Sequence, residues 1–126
     1  MKKGKPLNFI IPGTIYPFDI IVSIAESDEV LFPRLERRGI DITDSGIGVY
    51  SDTQRGRTIM FNGNQTLIRM YEHRNTPEWH GNLDHEIFHA VDFLMDRIGM
   101  KLTNDSDEAY SYMIGYVTKE IYKRLL

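Results

Sequence analysis

The stretch LDHEIFHAVDF, residues 83–93, sets His85 and His89 four positions apart with Glu86 directly after the first histidine. Around it the apolar positions Leu83, Ile87, Ala90, Val91, Leu94 and Ile98 recur at helical spacing. On such a helix, residues four apart lie about 40° apart around the axis and about 6 Å along it. Both imidazoles therefore leave one face and can reach a single metal ion. Glu86 turns about 100° from His85 and cannot share that ion, but it can reach a water beside it. H-E-x-x-H thus places two ligands and one general base on one rigid element. The plain alternative is an amphipathic helix that carries two solvated histidines. The apolar frame of Ile87, Val91 and Leu94 beside them favours the metal reading.

Outward from this helix, Thr76-Pro77 reads as its entry, an N-cap followed by proline at the first helical position, and Gly99 as its stop. Gly81 weakens the first turns and allows a start nearer Asn82. After a short link, Asp105 and Glu108 have the spacing of a capping box, and a second helix is expected to run to about Arg124. Upstream, LNFII (7–11), FDIIVSIA (18–25), IGVYS (47–51), RTIMFN (57–62) and TLIRMYE (66–72) read as strands, with NGNQ (62–65) as a hairpin turn. In the last strand Leu67, Arg69 and Tyr71 alternate with Ile68 and Met70, so one face is expected to be buried and the other open to water or ligand. Ser27 to Gly39 reads as a helix that Pro33 kinks or delays. Strands first and two helices last argue an α+β domain over residues 1–126, with those helices on one side of a small mixed or antiparallel sheet.

Composition narrows the function classes. The net charge of -3 gives no electrostatic case for nucleic acid, so none is expected as a partner. The absence of cysteine excludes disulfide stapling, thiolate zinc sites and a thiol nucleophile. The N-terminus MKKGKPLNFIIPG opens like a signal peptide. Its apolar run is far shorter than the roughly 7–15 residues an h-region needs, so classical secretion is not expected. No apolar run approaches the roughly 18 residues of a membrane span.

A hydrolytic zinc ion takes three protein ligands and leaves one position open. The third could come from His73, His80, Asp92, Asp96, Asp105, Asp107 or Glu108. His80 points about 140° away from His85. Asp92 suits a carboxylate that orients a ligand imidazole. Glu108 is the strongest choice, since two antiparallel helices bring the first turn of the second beside the end of the first; Asp107 stands behind it. The alternative role for Glu108 is to cap its own helix with Asp105.

HEIFH with Glu108 nineteen residues after His89, in DSDEAYSY, resembles the gluzincin metallopeptidases. The longer string GRTIMFNGNQTLIRMYE…TPEWHGNLDHEIFHAVDFLMDRIGMKLTNDSDEAYSYMIGYV also looks like small peptidase-like proteins of tailed bacteriophages and prophages. The resemblance covers about residues 55–120. It implies a zincin-like fold, one Zn²⁺ held by His85, His89 and Glu108, and Glu86 as the catalytic base that polarises water and passes its proton on. It also implies a peptide or protein substrate held in extended form along strand 66–72, taken as the sheet edge. Tyr112 is the candidate for stabilising the oxyanion, with Tyr110, Tyr116, His80 and Arg74 as alternatives. The implied location is the host cytoplasm or the virion. The competing expectation is a zincin-fold structural or assembly component of a phage virion, in contact with phage structural proteins, whose metal is structural. His2Glu suits zinc best among the divalent ions that fit such ligands.

Overall fold

The computed structural model describes residues 4–43 and 55–126. Along the chain run β1 (Leu7–Ile11), β2 (Asp19–Ile24), α1 (Asp28–Arg37), β3 (Gly56–Met60), β4 (Gln65–Met70), α2 (Pro77–Arg97) and α3 (Asp107–Leu125). The expected strand IGVYS (47–51) lies outside the described residues. The four strands form one mixed sheet in the order β1-β2-β4-β3. β2 and β4 are parallel, and the outer pairs β1·β2 and β3·β4 are antiparallel. The fold class is α+β.

Period-two alternation distributes the side chains between the two faces. Val22, Ile24, Ile68 and Met70 pack beneath α2 and α3 against Leu83, Ile87, Ala90, Val91 and Tyr110. Their neighbours Ile21, Leu67 and Ile59 face the other way, against Leu31 and Leu35 of α1. The sheet is thus covered on both faces. The expectation that the two last helices share one side holds, and α1 covers the opposite side.

Local chemistry sets the helix ends. α1 starts at Asp28 directly after its N-cap Ser27, so Pro33 is accommodated inside it and does not delay it. Thr76 Oγ1 accepts the amide of Trp79 at 3.2 Å, and α2 begins at Pro77 despite Gly81. Gly99 follows α2 with φ +81°, the left-handed region a glycine enters without strain. The Asp105–Glu108 capping pair does not form. The N-cap of α3 is Ser106, which puts Asp105 outside the helix and Glu108 at its second position, one short of the box. The Ser106 hydroxyl instead ties the link, bonding to the Lys101 carbonyl and accepting from the Thr103 amide.

Two long side-chain contacts seat α2. Arg97 donates to the carbonyls of Gly63 and Phe61, pinning the β3–β4 hairpin. Trp79 Nε1 donates to the Glu72 carbonyl at 2.7 Å, fixing the start of the helix against the end of β4.

Candidate metal and peptide site

His85 and His89 leave the solvent side of α2, opposite the buried Ile87 and Leu94. Their Nε2 atoms converge to 3.1 Å, with ring centroids 4.6 Å apart and ring planes at 79°. Two nitrogens bound at zinc distances in a tetrahedral arrangement stand about 3.3 Å apart. The pair therefore fits two corners of one coordination sphere. Phe88 and Phe93 flank His89, with ring centroids 6.2 Å from its imidazole on each side, which gives the pair an apolar border.

Glu86 turns from that face toward the sheet and is only 9% exposed. The Thr58 hydroxyl lies 2.7 Å from Glu86 Oε1 and 3.0 Å from the Glu86 carbonyl. Gly56, two residues earlier on β3, makes room: a Cβ there would stand 2.7 Å from Met70 Sδ and 3.1 Å from Glu86 Cγ. A buried carboxylate without such a donor would carry a heavy desolvation cost. Thr58 and Gly56 were not singled out from sequence. Nothing local marks them, because the contact joins positions 28 residues apart.

The strand beside Glu86 is β3. β4 lies between β2 and β3 with both edges paired, so the expectation that strand 66–72 is a substrate-binding edge is corrected: the edge is Gly56–Met60. The open-face expectation for that strand fails too, since Arg69 is 2% exposed beneath α1. The amide of Phe61 bonds Gln65, and the carbonyl of Arg55 accepts from Tyr71. Alternation between these pairs turns the main-chain N–H and C=O of Gly56, Thr58 and Met60 away from β4. Among the described residues no strand pairs with that edge.

The other candidates are dispersed. Glu108 stands exposed in the first turn of α3, about 200° around the helix from Tyr110, the residue that turns inward to α2. Among the described residues no group of three His, Asp or Glu side chains stands arranged to hold one metal ion. Asp107 is likewise exposed. Asp92 faces α3, where its Oδ1 lies 3.4 Å from the Tyr110 hydroxyl, rather than orienting a ligand imidazole. His80 points away as expected, with Nδ1 2.7 Å from the Tyr122 hydroxyl and Nε2 2.9 Å from Asn75 Oδ1. His73 packs on Trp79, with ring centroids 4.9 Å apart. Among the oxyanion candidates, Tyr116 donates to the Pro12 carbonyl, Tyr110 to the Met100 carbonyl, and Arg74 pairs with Glu72. Tyr112 is 77% exposed. Burial, then the Asp92 charge, raises the Tyr110 pKa above 10.0; burial, then Asp84, does the same for Tyr122. No helix among the described residues is long and apolar enough to cross a membrane.

Compared with known families, characterised proteins and solved structures, the chain matches none.

Proposed function

We propose that the chain is a small zincin-like metallopeptidase, phage-encoded as the resemblance over about residues 55–120 implies. The observation that carries this reading is the 3.1 Å convergence of His85 and His89 Nε2 with Glu86 one position along. His85 and His89 are two ligands in this reading, and the resemblance to the gluzincins implies Glu108 as the third, which needs the first turn of α3 to rearrange from its exposed position. When bound, zinc supplies a Lewis acid that polarises a carbonyl and acidifies water. Glu86 accepts a proton on its carboxylate and returns it to the leaving amine. Thr58 keeps one carboxylate oxygen in place meanwhile. The outward main chain of Gly56, Thr58 and Met60 seats an extended peptide by strand addition, beside the base.

Glu86→Gln tests the reading. Zinc-loaded wild type should cleave an unstructured protein such as casein, and Glu86→Gln should lose at least about 100-fold in rate while keeping its zinc. Equal rates in the two, or no cleavage by zinc-loaded wild type, would contradict it. The burial of Glu86 and its bond to Thr58 favour one second reading, a structural component of a virion in which Glu86 ties α2 to β3 and the metal staples the fold. There Glu86→Gln should change stability and leave assembly intact.

A further inference from the structure

Glu26, in the turn between β2 and α1, is a buried carboxylate that the histidine helix does not involve; it is 3% exposed. It forms part of the wall of a cavity of about 380 Å³, bounded by the start of β1, the turn after β2 and one side of α1. Pockets for small molecules run from roughly 300 to 1,000 Å³, so this one has room for a small ligand. α1 covers the face of the sheet opposite α2, which keeps the cavity apart from His85 and His89.

The two carboxylate oxygens of Glu26 are served unequally. Oε1 accepts from Asn8 Nδ2 at 2.6 Å and from Ser23 Oγ at 2.7 Å. Among the described residues the one cation beside Oε2 is Arg34, whose Nη1 stands 3.5 Å away. A charge-assisted hydrogen bond is shorter, about 2.7–2.9 Å. A carboxylate taken out of water is costly unless its oxygens find donors, and so loose a pair offsets little of that cost. Oε2 therefore has room for a closer donor. Arg34 is held as loosely. Its side chain is 42% exposed, and Glu26 is its one ion-pair partner among the described residues.

The rest of the wall is mixed. Ser27 lines the cavity, and its side chain makes no cap bond to α1. Pro6, Leu7, Ala25 and Val30 supply an apolar side, with Val30 43% exposed. A ligand with charge of one sign fits this wall poorly: an anion meets Glu26, and a cation meets Arg34. A ligand with an ammonium and a carboxylate on one carbon answers both.

We propose that this cavity binds a free α-amino acid with an apolar side chain. The ammonium donates to Glu26 Oε2, the carboxylate accepts from the Arg34 guanidinium, and the side chain lies against the apolar wall. A guanidinium fork matches a carboxylate at two points, which suits Arg34 to that part. The site stands apart from the metal reading and does not depend on it.

The test is a titration of the isotope-labelled full chain with L-leucine, following the backbone amides of Asn8, Ala25 and Ser27. Two further probes each lack one charge: isoamylamine keeps the ammonium, and isocaproate keeps the carboxylate. At matched ionic strength the three amides should shift saturably with L-leucine. Each single-charge probe should bind at least about tenfold more weakly. Glu26→Gln should abolish the shifts. Arg34→Gln alters a side chain that is 42% exposed, so it keeps the test open should the Glu26 variant fail to fold. It should weaken L-leucine about tenfold and leave isoamylamine no weaker. No saturable shift with L-leucine, a single-charge probe that binds as tightly, or unchanged L-leucine affinity in Arg34→Gln would overturn the proposal.

Discussion

At the scale of single residues, the contact between Thr58 and Glu86 settles which way the glutamate faces. A hydroxyl has one proton, and here two acceptors of the same residue share it, the Oε1 and the carbonyl. Thr58→Val strips that donor from a carboxylate that is almost out of water. The expected loss is about 1.5–3 kcal/mol of stability, read by urea denaturation, with most of it kept in Thr58→Ser. A valine variant as stable as wild type would show that Glu86 is satisfied elsewhere. Tyr110 makes a second residue-scale prediction. Its hydroxyl donates to the Met100 carbonyl at 3.0 Å, and burial followed by the Asp92 charge raises its folded pKa. Its contribution is complete below the unfolded value of about 10. Above that, the unfolded chain ionises first, and stability falls as pH rises through the folded value. Tyr110→Phe should cost about 1 kcal/mol at neutral pH and flatten the alkaline decline, leaving the part due to Tyr71 and Tyr122, which burial also raises. Unfolding midpoints across the alkaline range check both halves.

At the scale of elements, α2 carries the site and its ends are set by local chemistry. Thr76→Ala removes the side-chain cap and should cost about 1 kcal/mol. Gly81→Ala should stabilise by roughly 0.5–1 kcal/mol, because a Cβ there meets nothing within 4 Å and helix entropy favours alanine. Thermal melts of the two variants should move in opposite directions. The same locality explains what the sequence made legible. Thr76-Pro77, Gly99 and the 3.6-residue stripe of α2 are written within a few positions, and they sit where that spacing requires. The strand Gln65–Met70 was legible as a strand but not as an interior one. Its neighbour β2 lies more than forty positions upstream, and period two says nothing about who pairs with whom. The alternation of Arg69 and Tyr71 therefore read as an open face, when α1 folds back over it. The Asp105–Glu108 pair failed by a single position, because α3 opens at Ser106 rather than at Asp105.

At the scale of the whole molecule, two faces of one sheet carry two different chemistries. Beneath α2, Thr58 of the edge strand β3 holds Glu86; beneath α1, Arg69 of β4 pairs with Asp28. The convergence of His85 and His89 was legible, because it follows from helix geometry alone. Glu108 was placed by the antiparallel return of α3, and that return does occur, with Tyr110 beside Asp92 and Tyr122 beside His80. What spacing could not supply is rotation: the face of α3 turned to α2 is the one bearing Tyr110, Val117 and Ile121, and Glu108 lies nearly opposite. The central claim, a metal bound by the histidine pair, is tested most directly by elemental analysis of purified, zinc-supplied and dialysed protein. Wild type, His89→Ala and Glu108→Ala should be compared. About one zinc per wild-type chain is expected, lost in His89→Ala, with the Glu108→Ala content showing whether that carboxylate is the third ligand. A wild type that retains no zinc, or a His89→Ala variant that retains as much as wild type, would contradict the claim and leave His85 and His89 as a pair of surface histidines on an ordinary helix.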